Sequence, residues 1–178
     1  VWKTDWVRRP ARGATWKAVE CDATGAIWVV ADVLDRGVAR LRDGRFEQVP
    51  VPEWGAHKNV IGSAPLPRGA GIAVLLGSSG VAICEDGTWT LVGPEQGLHC
   101  DLALSISRGP SSLFVATSGG LHEVVNGAAR KLDIEGLPDV GRSQDRHVAA
   151  KAQIQPSRQR MLVEAIVAAQ VAFDNDER

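Results

Sequence analysis

The stretch "GVARLRDGRFEQV" (Gly37–Val49) decides how this chain is read. An Asp-Gly pair sits at its centre, between two short runs with β character. Asp-Gly and Asn-Gly mark two-residue hairpins, because a type I′ turn needs positive φ at both central positions. The same layout returns as "GVAICEDGTWTLV" (Gly80–Val92) and "GLHEVVNGAARKL" (Gly120–Leu132). The turn pairs Asp43-Gly44, Asp86-Gly87 and Asn126-Gly127 lie 43 and 40 residues apart. Six residues before each turn stands a glycine followed by an aliphatic residue: Gly37-Val38, Gly80-Val81 and Gly120-Leu121. Upstream of each lies an apolar run: "IWVVA" (Ile27–Ala31), "IAVLLG" (Ile72–Gly77) and "LFVAT" (Leu113–Thr117). Three markers share one period in one order, so the chain is a repeat.

Each copy reads as four short strands, a to d. In the first, strand a is "WKAVECD" (Trp16–Asp22), strand b Ile27–Ala31, strand c Gly37–Arg42 and strand d Arg45–Val49. The b runs are apolar at successive positions, the pattern of a strand covered on both faces. A period of 40 to 45 residues with four strands per copy is the pattern of a β-propeller blade. The expected fold is therefore all-β: a partial propeller of about three four-stranded blades, at about 15–50, 59–92 and 101–133. Residues 1–14 are expected to be the remnant of a preceding blade, with Trp2 and Trp6 as stacking residues. Residues 140–178 are expected to be a linker followed by a C-terminal helix from Ser157, which is placed to cap it.

Composition agrees. The 178 residues include 19 Gly, 6 Trp and no Tyr, and 44% are hydrophobic. Such a chain can bury about 70% of its unfolded surface. Lys and Arg total 20 against 21 Asp and Glu, so there is no basic footprint for nucleic acid. No apolar run is long enough to span a bilayer, and no signal peptide is visible. Cys21, Cys84 and Cys100 form no C-x-x-C pair, and their odd number argues against a disulfide framework.

No cluster announces a chemistry. His57, His99, His122 and His147 share no metal-ligand spacing. The serines lie outside any G-x-S-x-G elbow, and "PLPRGAG" (Pro65–Gly71) lacks the Lys and Ser/Thr of a phosphate loop. No catalytic residue, metal or cofactor is assigned. Propeller geometry supplies one pointer: b–c and d–a connections share one face, where pockets form on a rigid scaffold. That face would carry Asp32, Asp35 and Arg36, then Trp54 and His57, then His99 and Asp101. These are the expected ligand-binding residues, and their mixture suits a small polar ligand such as an oligosaccharide.

The segments "GAIWVVA…GVARLRDGRFEQV", "GIAVLLGSSGVAICEDGTWTLV" and "SSLFVATSGGLHEVVNG" resemble two-component regulator propeller repeats. "EQGLHCDLALSI" (Glu95–Ile106) is similar to the lead-in of such a blade, and "EGLPD" (Glu135–Asp139) to the start of another. The copies depart from the pattern at Ala73-Val74, where an aromatic is expected. The resemblance implies a periplasmic, ligand-sensing segment of a hybrid histidine kinase, or of a diguanylate cyclase. It implies further blades as partners and no catalysis within the segment. The alternatives are a fragment of a propeller glycosidase or lyase, or a protein-binding scaffold. Paired carboxylates would mark the glycosidase, and Asp32 with Asp35 is the near pair.

Overall fold

The computed structural model describes residues 15–99 and 102–134. The expected blade remnant at 1–14, the linker, His147 and the helix from Ser157 lie outside the described residues, as do Cys100 and Asp101. The strands are β1 (Trp16–Cys21), β2 (Ile27–Ala31), β3 (Val38–Arg42) and β4 (Arg45–Gln48). They continue with β5 (Gly62–Pro65), β6 (Gly71–Leu75), β7 (Val81–Glu85) and β8 (Thr88–Val92). The last four are β9 (Ala103–Arg108), β10 (Leu113–Thr117), β11 (Gly120–Val125) and β12 (Ala128–Lys131). They form three antiparallel sheets of four strands, each in sequence order. Each sheet is one repeat, so the repeat and the blade coincide.

The hairpin chemistry works as the sequence implies. Asp43, Asp86 and Asn126 take φ of 51°, 48° and 50°, and the glycines after them 73°, 84° and 77°. Each turn then joins strands c and d of its blade.

Register shows how the blades stack. Across strands b and c, Val30 pairs with Val38, Leu75 with Val81 and Ala116 with Leu121. Alternate side chains leave opposite faces of a sheet. One core joins Trp28, Val30 and Val38 of blade one to Ile72, Val74, Ala82 and Cys84 of blade two. A second joins Ala73, Leu75 and Val81 of blade two to Leu113, Val115 and Val124 of blade three. Blade two is covered on both faces, and every residue of β6 is buried. The aromatic missing at Ala73 is balanced there by Leu66 and Leu98, both buried in the second core.

Blade one departs from the expectation of two-sided burial. In β2, Trp28 and Val30 are wholly buried, whereas on the opposite face Ala31 is buried, Val29 half-buried and Ile27 37% exposed. Among the described residues no sheet packs on that face. An apolar run shows what a strand can bury, not whether a neighbour is there to cover it.

Candidate functional site

The b–c and d–a connections do share one end of the blades, and backbone hydrogen bonds tie them. Val60 N–H donates to the Asp32 carbonyl (2.8 Å) and Leu34 N–H to the Lys58 carbonyl (2.9 Å). Ser118 N–H likewise donates to the Leu102 carbonyl at 2.8 Å. The b–c loop of blade one is therefore held against the linker that leaves it, and that of blade three against the linker that enters it. At Gly80 the approach is so close that a Cβ would lie 2.2 Å from the Val92 carbonyl oxygen.

In the first blade this end gathers four of the expected residues as two pairs. Leu34–Arg36 forms a 3-10 turn whose buried Leu34 anchors it in the core. Arg36 Nη1 stands 3.7 Å from Asp32 Oδ2, and Asp32 Oδ1 accepts from Thr15 N–H at 3.4 Å. Desolvation pushes the Asp32 pKa up, but the Thr15 hydrogen bonds and the Arg36 charge outweigh it, and the net shift is downward. Asp32 is thus an engaged carboxylate.

Asp35 holds the other pair. Its Oδ2 accepts from the His57 backbone N–H at 3.1 Å and lies 3.5 Å from His57 Nδ1. His57 reaches this geometry through a left-handed backbone, φ 57°, rare for a residue other than glycine. Its ring is 93% exposed. Strain of this kind persists only where the surroundings enforce it. Here the enforcing contacts are the Asp35 carboxylate and the strand-like bridge between Val33 and Asn59. Trp54 lies on the 3-10 turn Glu53–Gly55 of the same linker and is part exposed. An open groove of about 340 Å³ runs beside Asp35, with Gly37, Gln48, Val49, Pro50 and Val51 along it.

His99 belongs to a different corner. Its carbonyl would lie 3.5 Å from a Cβ at Gly119, in the b–c loop of blade three. It is near enough to His122 to disfavour a second charge there. His122 is buried, with Nδ1 3.5 Å from Thr117 Oγ1. Burial chiefly, then Lys131 and His99, push its pKa down against a Gly120 backbone hydrogen bond, which favours the neutral ring. Of the expected residues, Asp32 pairs with Arg36 and Asp35 with His57, His99 stands at the next blade junction, and Asp101 lies outside the described residues.

One polar group that sequence reasoning missed is Asp22, at the other end of blade one. Only 5% exposed, its carboxylate accepts from Thr24 N–H, Thr24 Oγ1 and Ala26 N–H through Oδ1. Oδ2 accepts from Trp28 Nε1 (2.8 Å) and from Gly71 N–H of blade two (3.1 Å). Burial works to raise its pKa, but the bonds from Trp28, Thr24 and Ala26 prevail and lower it. The local signal was legible: Asp with Thr two residues on is an Asx-turn pattern. Among the described residues no three His, Cys, Asp or Glu side chains converge as metal ligands. No helix among them is long and apolar enough to cross a membrane.

Three four-stranded antiparallel sheets, stacked face to face with their b–c and d–a loops at one end, define a partial β-propeller. Solved structures agree on the fold. One is selenomethionine-substituted virginiamycin B lyase from Staphylococcus aureus, with a TM-score of 0.50 and 12% identity over 71% of this chain. Another is a catalytically inactive histidine-to-alanine variant of that lyase with quinupristin, at 0.51 and 11% over 70%. The chain spans 44% of the length of each. No family model matches the chain, and no curated protein does. The propeller expectation stands, whereas these comparisons give the two-component assignment no support.

Proposed function

We propose that this chain is part of a propeller enzyme of the lyase type, binding a small polar ligand at the loop end of blade one. The observation that carries the reading is the Asp35–His57 pair. A carboxylate near Nδ1 favours the proton on that nitrogen and leaves the lone pair on Nε2. An imidazole so held can accept a proton from a bound molecule, the step an elimination requires. The adjoining groove, which Asp35 lines, supplies space, and Asp32, Arg36 and Trp54 on the same loops would offer polar and aromatic groups to a ligand reaching beyond it. Propeller likeness to a lyase supports an enzyme over a kinase sensor. A glycosidase fits less well. Asp32 is engaged by Arg36 and Thr15 and Asp35 by His57, so the two carboxylates do not make a free acid–base pair. A sensor of the periplasmic kind would use the same loops without turnover.

The test is to titrate the 178-residue protein with quinupristin and, separately, with neutral oligosaccharides. Backbone amide NMR reads binding and liquid chromatography reads conversion. The expected result is shifts at residues 32–37 and 53–60, with conversion falling at least ~100-fold in His57→Gln while binding persists. Binding at these loops without conversion would transfer the site to the sensor reading. An absence of shifts there with every probe would overturn the site itself.

A further inference from the structure

Strands β4, β8 and β12 are the outer edges of their sheets. An edge strand offers its unpaired backbone groups to any other strand, and proteins guard such edges with charge or cover. Two of the three are guarded. β4 carries Arg45 and Glu47, and β12 carries Arg130 and Lys131. The linker also closes on β12, since a Cβ at Gly97 would lie 2.3 Å from the Ala129 carbonyl oxygen. β8, Thr-Trp-Thr-Leu-Val, carries no charge and consists mostly of residues that favour strands.

The hairpin decides which groups of β8 point outward. A two-residue turn is closed by a hydrogen-bonded pair, here Glu85 with Thr88, and bonded and non-bonded pairs then alternate. Thr90 and Val92 therefore bond to β7, while Trp89 and Leu91 aim their N–H and C=O groups away from it. The other blades show this alternation directly: Val49 N–H donates to the Val38 carbonyl and Leu132 N–H to the Leu121 carbonyl, both at 2.8 Å. Those residues align with Val92 and Val81. Among the described residues the four outward groups have no hydrogen-bond partner. Trp89 is engaged through its side chain instead, Nε1 donating to the Pro50 carbonyl at 2.8 Å.

We infer that β8 is an interface at which two copies of this chain pair their strands, antiparallel and two-fold symmetric about Thr90. In that register Trp89 faces Leu91 of the second copy and exchanges both backbone hydrogen bonds with it. Leu91 does the same with Trp89 of the second copy. All four outward groups of each copy are then satisfied, and Thr90 faces its own counterpart across the axis. This self-complementarity is what a two-fold interface requires, and it selects a second copy over an unrelated strand. No charge within Thr88–Val92 opposes itself across the axis. Aromatic–aliphatic and Thr–Thr neighbours are favourable cross-strand pairs. One pair of five-residue strands is a small interface, so the dimer is reversible. The inference is independent of the Asp35–His57 site, and the two readings fail separately.

Backbone amide hydrogen exchange of the 178-residue protein is followed between about 10 μM and 1 mM, with sedimentation equilibrium in parallel. The expected result is a dimer at the higher concentrations in which the Trp89 and Leu91 amides exchange at least about 10-fold more slowly. The Thr90 amide, bonded to β7 in either state, is expected to be protected throughout. Thr90→Lys sets two like charges face to face and is expected to leave a monomer, as is Thr90→Glu. Thr90 is exposed, so the circular dichroism of both variants is expected to match wild type. An equimolar mixture of the two variants is expected to associate again. A monomer throughout the range, or a dimer that leaves Trp89 and Leu91 unprotected, would overturn the inference. So would a dimer that survives in Thr90→Lys, since the copies would then meet at another surface.

Discussion

Replacing Asp22 tests whether a carboxylate outside the loop site joins blade one to blade two. Asp22→Ala deprives Trp28 Nε1 and Gly71 N–H of their acceptor in a buried setting. A buried donor left without a partner costs about 1–3 kcal/mol, so these two together predict a loss of about 2–6 kcal/mol. The Thr24 and Ala26 donors sit in the turn itself. Asp22→Asn keeps one acceptor oxygen but turns an NH₂ toward donors, and is expected to lose about half as much. Urea unfolding followed by tryptophan fluorescence reads both, since Trp28 lies in the joint core. The pH dependence has a definite sign. The folded pKa of Asp22 is depressed below its ordinary 3.8. Its contribution is therefore fully present above the unfolded value and is lost as pH falls through the folded one. In Asp22→Asn that part of the acid sensitivity disappears. A loss below about 0.5 kcal/mol in Asp22→Ala would refute the reasoning, since surface substitutions fall in that range.

Three further outcomes follow from the packing. Gly80→Ala puts a Cβ 2.2 Å from the Val92 carbonyl at φ 106°, and is expected to cost at least about 2 kcal/mol in the same unfolding assay. Burial raises the Cys84 thiol to about 11, so a disulfide reagent at pH 8 should modify it only on unfolding, while Cys21 reacts in the native protein. Arg40 lies 5.5 Å from the Trp28 ring centroid and 2.8 Å from Glu47, with its Nε buried and without a hydrogen-bond partner. Arg40→Met therefore stays within about 1 kcal/mol of wild type in urea, because the packing is kept and the desolvation of the charge is relieved.

The blades were legible because their deciding signals are local. A type I′ turn is made by two residues, and Asp43-Gly44 carries its own conformation wherever it occurs. Strand b is legible for a similar reason: its apolar run states that the strand can be buried. Whether it is buried depends on a neighbour about one repeat away, and so Ile27 and Ile72, alike in sequence, end at opposite exposures. The site was half legible for the same reason. Loop geometry on a propeller places Asp35 and His57 at one end, but their pairing depends on His57 entering the left-handed region, which only a few per cent of non-glycine residues do even though His does so more readily than most. The Asp22 bond to Gly71 spans 49 residues and exists only once two blades have met. Its turn could be read, and its role between blades could not. The unpredicted contacts therefore share a physical origin: they are made by stacking, after each repeat has already formed. That is where variants should separate effects on blade formation from effects on assembly. Asp22→Ala should weaken the union of blades one and two while leaving the Asp43-Gly44 hairpin intact.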